Sequence, residues 1–91
     1  MLYAIICVDK PGALQTRLDN REAHLGHIEA AGGSIVQAGP FLDAQDRMCG
    51  SLLIMEADDV SAVETWAAAD PYVKAGLFES VSIRPWKRVI G

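Results

Sequence analysis

Hydrophobic positions change period several times along the chain, and each change predicts an element. Leu2 to Val8 is an apolar run rich in β-formers, closed by Asp9-Lys10-Pro11-Gly12, which predicts a strand and a turn. From Leu14 to Gly32 the period becomes helical: at about 100° per residue, Leu14, Leu18, Leu25 and Ile28 share one stripe, and Gly32-Gly33 supplies the stop. Ser34 to Ala38 predicts a second strand, closed by Gly39-Pro40. Asp43 to Arg47 is a hairpin-like connection into a third strand from about Cys49 to Glu56. Asp58 or Asp59 can cap a second helix whose apolar face is Val60, Val63 and Trp66 or Ala67, with Ser61 and Glu64 as a competing capping box. Pro71 ends that helix and also suits the first position of a new turn, capped by Asp70 and stopped at Gly76. Phe78 to Trp86 predicts a last strand with Val81 and Ile83 on one face and Ser80 and Ser82 on the other.

The order βαββαβ predicts a ferredoxin-like α+β fold: a four-stranded antiparallel sheet with two helices on one face. Strands one and three are nearly continuous apolar runs, without the alternation expected of a sheet with one wet face. The second face therefore needs a cover too. With only two helices available, the expected cover is a second copy of the same sheet, giving a homodimer packed sheet against sheet.

One charged residue interrupts the first helix's stripe. Arg21 falls among the leucines, His24 lies about 60° away on the flank of the stripe, and His27 turns a further 60° towards Asp19, Asn20 and Ala23. Arg21 and His24 are thus expected to point inward and His27 outward. An inward guanidinium needs a carboxylate or a wet cavity, and Asp70 is the first candidate for its partner. Histidine is the one side-chain type whose unperturbed pKa lies near neutrality, and His24 could move a proton if Asp70 fixed its tautomer. The structural alternatives are a histidine bonded to a backbone carbonyl, a helix-capping Asp70, and an Arg21–Asp70 ion pair that locks the fold. Tyr72 could place a phenol at the mouth of the same pocket, and Asp9 is read as a turn residue within reach of it.

Composition narrows the chemistry. Ninety-one residues, just over half of them apolar, suit a single domain spanning 1–91. A net charge of −4 argues against a nucleic-acid binder. The apolar N-terminus lacks a basic leader and is too short to span a bilayer, so a cytoplasmic protein without membrane partners is expected. Cys7 and Cys49 lie in apolar runs as free thiols, His24 and His27 lack a third ligand, and the glycines form no phosphate-binding loop. Neither a metal nor a cofactor is expected.

Several motifs then fall into a known order. Arg21-Glu22-Ala23-His24-Leu25, Ala38-Gly39-Pro40, Trp66 to Gly76 with its Asp70-Pro71-Tyr72, and Arg84-Pro85-Trp86 together resemble the YciI-like family of YCII-related domains over essentially the whole chain. The resemblance implies a dimeric α/β barrel whose active-site histidine and aspartate correspond to His24 and Asp70, with Arg21 nearby. Related barrels act on small ring compounds, as muconolactone isomerases do, and some YciI-like proteins are associated with dehydrohalogenation in chlorinated aromatic breakdown. The resulting expectation is an isomerase or lyase in which His24 and Asp70 perform acid/base chemistry on a small anionic cyclic substrate held by Arg21 and Tyr72. The competing expectation is a non-catalytic domain that binds a small acid in the same dimer pocket.

Overall fold

The two nearly continuous apolar runs become the central strands. In the computed structural model, which describes residues 1–91, they are β1 (Leu2–Asp9) and β3 (Met48–Glu56). The edges are β2 (Ile35–Leu42) and β4 (Phe78–Trp86), in the order β2-β3-β1-β4 with every pairing antiparallel. Helices α1 (Leu14–Ala30), α2 (Val60–Ala68) and the short α3 (Pro71–Lys74) complete the ferredoxin-like α+β arrangement.

Strand pleating sorts the side chains. Ile5 sits opposite both Leu53 and Ile83, and Tyr3, Ile5, Cys7, Leu53 and Met55 project from one face to pack with Val63 and Ala67 of α2. Ile28 of α1 joins the margin of that cluster. On the other face lie Ala4 and Ile54, both buried, with Ile6 and Leu52 half-buried and Val8, Phe41 and Trp86 exposed. No helix covers this second apolar face.

Local chemistry sets the ends. Ala31 caps α1 and Gly32 follows at φ +66°, so the helix stops two residues before the predicted Gly32. Asp59 caps α2 by accepting from the Ala62 amide at 3.0 Å, and Ser61 donates to the same carboxylate instead of capping itself. Val63 and Ala67 form the buried face of α2, whereas Val60 is exposed. Asp43 closes the hairpin by accepting from the amides of Gln45 and Arg47, and Asp46 takes the turn's left-handed position at φ +61°.

Gly39-Pro40 does not end β2. The strand runs through both residues to Leu42, with Pro40 opposite Ser51. An edge strand permits this because it uses hydrogen-bonding groups on one side only, and Pro85 occupies the other edge, β4, for the same reason.

The predicted inward stripe of α1 is also corrected. Leu18 and Leu25 are 46% and 44% exposed, whereas Arg17 and His24 are buried at 2% and 6%. The cause lies beneath the helix, where Asp9 at the end of β1 and Ser51 on β3 present polar groups. Leucines laid over them would strand a carboxylate and a hydroxyl without partners, while an arginine satisfies both.

Candidate active site

Two buried polar clusters meet at one cavity. In the first, Arg17 donates from Nε to Asp9 Oδ2 at 2.8 Å, and from Nη2 to Asp9 Oδ1 at 2.8 Å and to Ser51 Oγ at 2.9 Å. Burial opposes the guanidinium's charge, but the Asp9 carboxylate outweighs it and holds the proton more firmly than usual. Arg17 is therefore a fixed cation. It also lies over the Tyr72 ring, 4.8 Å from the centroid.

In the second cluster His24 Nδ1 is 2.9 Å and 3.0 Å from the two Asp70 oxygens. An ionised carboxylate only accepts, so Nδ1 is the donor, and in the neutral imidazole the lone pair lies on Nε2. Asp70 is also the cap of α3, accepting from the Tyr72 amide at 2.9 Å. That cap places the Tyr72 ring flat against His24, with centroids 3.9 Å apart and planes 14° from parallel. The imidazole is thus held in its plane by the carboxylate and across its plane by the phenol ring.

The cavity between α1 and the β2–β3 side of the sheet has a volume of about 140 Å³ and is lined by Arg17, Arg21, His24, Ser51 and Tyr72, with Leu25, Ile28, Pro40, Met48 and Leu53 among its apolar walls. Fully buried side-chain nitrogens and oxygens in this chain all have hydrogen-bond partners. His24 Nε2 has none and so retains accessible surface, and it shares the cavity wall with Arg17, whose guanidinium also lies within reach of the Tyr72 phenol. Burial raises the Tyr72 phenol above its ordinary value, against the pull of Arg17 and Arg21, so it stays protonated at neutral pH. Beneath the site, burial, with the Asp70 charge adding to it, pushes the Cys7 thiol up to about 12. Cys7 is accordingly a neutral thiol at neutral pH.

The other predicted residues fall as follows. Arg21 is exposed at the cavity wall and forms neither an inward ion pair nor the predicted contact with Asp70. It stands about 40° around the helix from Arg17, which takes the buried place. His27 does not point into solvent. It is half-buried, stacks on Trp66 at 4.4 Å and donates from Nε2 to the Trp66 carbonyl at 2.9 Å. Asp9 belongs to β1 and is a buried ion-pair partner, more than the turn residue predicted for it. Arg17 itself carried a readable signal, since positions seven apart lie within about 20° of each other and Arg17 precedes His24 by seven.

The YCII-related domain profile matches residues 1–87. The chain belongs to that family. Protein YciI of Escherichia coli is 40% identical, the match covering 98% of this chain and 99% of that protein, and an uncharacterised Haemophilus influenzae protein is 35% identical over the same shares. Among solved structures, the 5-chloro-2-hydroxyhydroquinone dehydrochlorinase TftG of Burkholderia phenoliruptrix AC1100, in complex with 2,5-dihydroxybenzoquinone, is 41% identical. It superposes with a TM-score of 0.90 over 96% of this chain and 94% of that one. An antibiotic biosynthesis monooxygenase at 16% identity and TM-score 0.57, covering 99% of this chain and all of that one, shares the fold alone.

Proposed function

We propose that this YCII-related protein is a cofactor-independent enzyme that moves a proton on a small cyclic substrate, with His24 as acid/base and Asp70 as its orienting carboxylate. The observation that carries the reading is the division of the imidazole: Nδ1 is committed to Asp70, and Nε2 has no protein partner on the cavity side. A cavity of about 140 Å³ matches a single ring, since roughly 150 Å³ accommodates a benzene. The similarity to TftG, a dehydrochlorinase with a quinone ligand, supports substrates of that class.

The chemistry follows from the geometry. His24 Nε2 takes a proton from a ring hydroxyl or an acidic ring carbon, and Asp70 stabilises the imidazolium that forms. In an elimination acting on the keto form of a hydroxylated ring, the O–H electrons move through the ring and the leaving halide departs with the electrons of its own bond. The net loss is one hydrogen halide. In an isomerisation the imidazolium returns the proton at another ring atom. Arg21 at the cavity wall draws in an anionic substrate, and the Tyr72 phenol donates a hydrogen bond to a ring oxygen.

Chloride release from 5-chloro-2-hydroxyhydroquinone, together with solvent-proton exchange into hydroxylated rings, tests this reading. A rate that falls by about 10²–10⁴ in His24→Ala supports it. Saturable binding of the same compounds with no release or exchange in the wild type contradicts it.

The uncovered sheet face supports a second part of the proposal, a homodimer packed sheet against sheet around Ala4, Ile6, Leu52 and Ile54. Sedimentation should give twice the chain mass, and Ile6→Asp should halve it. The two free cysteines suit a reducing, cytoplasmic setting.

A further inference from the structure

Arg17 is 2% exposed and yet does not spend all its donors on the protein. Asp9 and Ser51 hold the guanidinium through Nε and Nη2, the Tyr72 ring lies 4.8 Å from Cζ with its phenol within the guanidinium's reach, and Nη1 bonds neither Asp9 nor Ser51. A guanidinium needed only to lock α1 onto the sheet has no reason to line the same cavity as the His24 imidazole.

The proton transfer proposed above, on which this step rests, creates two charges at once. The imidazolium has Asp70 against it. The anion left on the substrate needs a fixed positive partner, and Arg17 is the cation held inside the cavity, whereas Arg21 is exposed at its wall.

We infer that Arg17 is a specificity-determining residue whose Nη1 receives an ionised oxygen on the substrate ring, so that the cavity selects small rings bearing an oxyanion over their neutral ethers. Asp9 then has a defined part as a positioning residue. It fixes the guanidinium edge-on from below and turns Nη1 towards the cavity, as Asp70 turns Nε2.

The test uses para-nitrophenol, whose anion absorbs visible light, and para-nitroanisole, its methyl ether, which cannot ionise. With wild-type protein the nitrophenolate should bind about tenfold or more tightly than the ether, and bound nitrophenol should ionise about one pH unit or more below free nitrophenol. Arg17→Lys keeps a cation for Asp9 on an arm with no second branch. It should lose the spectral shift and the preference for the phenolate over the ether. Arg21→Gln should slow capture of the anion and preserve the shift of the bound dye.

A shift that survives Arg17→Lys, or that disappears in Arg21→Gln, overturns the assignment to Arg17. Should Arg17→Lys fail to fold, the wild-type pair of ligands still decides: equal affinity for phenolate and ether overturns the inference and leaves ring binding standing. Failure of both probes to bind at millimolar concentration overturns the ring-binding reading and this inference with it.

Discussion

Replacing the buried Asp9–Arg17 pair one partner at a time, and then together, measures whether the floor of the cavity is a desolvated ion pair. At 2.8 Å and an effective dielectric constant of about 20, opposite charges attract by on the order of 6 kcal/mol. Taking each ion out of water costs several kcal/mol, so the pair as a whole is close to neutral against a well-packed apolar pair. Removing one partner is different, because the survivor stays buried without its countercharge. Asp9→Leu or Arg17→Met alone should each lose about 3–5 kcal/mol. That is a large part of the roughly 5–14 kcal/mol expected for a chain of 91 residues. The double variant should recover most of the loss, ending within about 1 kcal/mol of the wild type or above it. Urea unfolding followed by the fluorescence of Trp66, which lies half-buried against His27, reads all four proteins. Single losses below about 1 kcal/mol that simply add in the double variant would mean the pair is solvated, and the argument for a fixed buried cation would collapse.

Three further outcomes follow from neighbouring geometry. The folded state holds the Cys7 proton up to about 12 against an ordinary 9.0, so the thiol's contribution is complete below about pH 9 and lost as pH rises to 12. Urea midpoints across that window should show up to about 4 kcal/mol of decline that is absent in Cys7→Ala, and parallel declines would remove Cys7 as the cause. A Cβ at Gly50 would press into the Cys7 carbonyl oxygen and lie 3.1 Å from the Phe41 ring, so Gly50→Ala should cost about 1–3 kcal/mol in thermal unfolding, and an unchanged Tm would contradict that contact. Asp70→Asn keeps an oxygen for the Tyr72 amide but removes the charge opposite the imidazolium; proton-exchange rates should fall at least about 100-fold with little change in Tm.

Much of this fold was legible because its elements carry strong local signals. Proline and glycine punctuate β1, α3 and the end of α1, and the two nearly continuous apolar runs fall on the central strands β1 and β3. Pro40 misled because a proline ends a strand only where its missing N–H is needed, and edge position is a tertiary property. The facing of α1 misled for a related reason. Counting leucines assumes an apolar floor, whereas the floor under the first half of this helix is Asp9 and Ser51, supplied by strands 8 and 34 residues away in sequence. His24 and Asp70 were each legible as local features, a histidine on the helix flank and a turn cap, but their pairing stood beside an Arg21–Asp70 pair as one of two alternatives, and only the family resemblance favoured it. Arg17 and Asp9 could not be paired, because the partner that makes each intelligible lies on another element.

The same local economy explains why Asp70 serves two roles without conflict. A cap uses one carboxylate oxygen as acceptor for the Tyr72 amide, and the syn and anti lone pairs that remain are enough for His24 Nδ1. Because α3 is only four residues long, its geometry depends heavily on that cap, and the residue whose amide is capped is the one whose ring stacks on His24. Orientation of the imidazole and formation of α3 are therefore one event. A substitution that loosens α3 without touching the dyad, such as Pro71→Gly, should free the chain before Tyr72, widen the range of ring positions over His24 and slow proton exchange. Protection of the Tyr72 amide against hydrogen exchange should fall in the same variant. If protection drops while the exchange chemistry keeps its full rate, the stacking ring contributes nothing to positioning, and Asp70 alone orients the base.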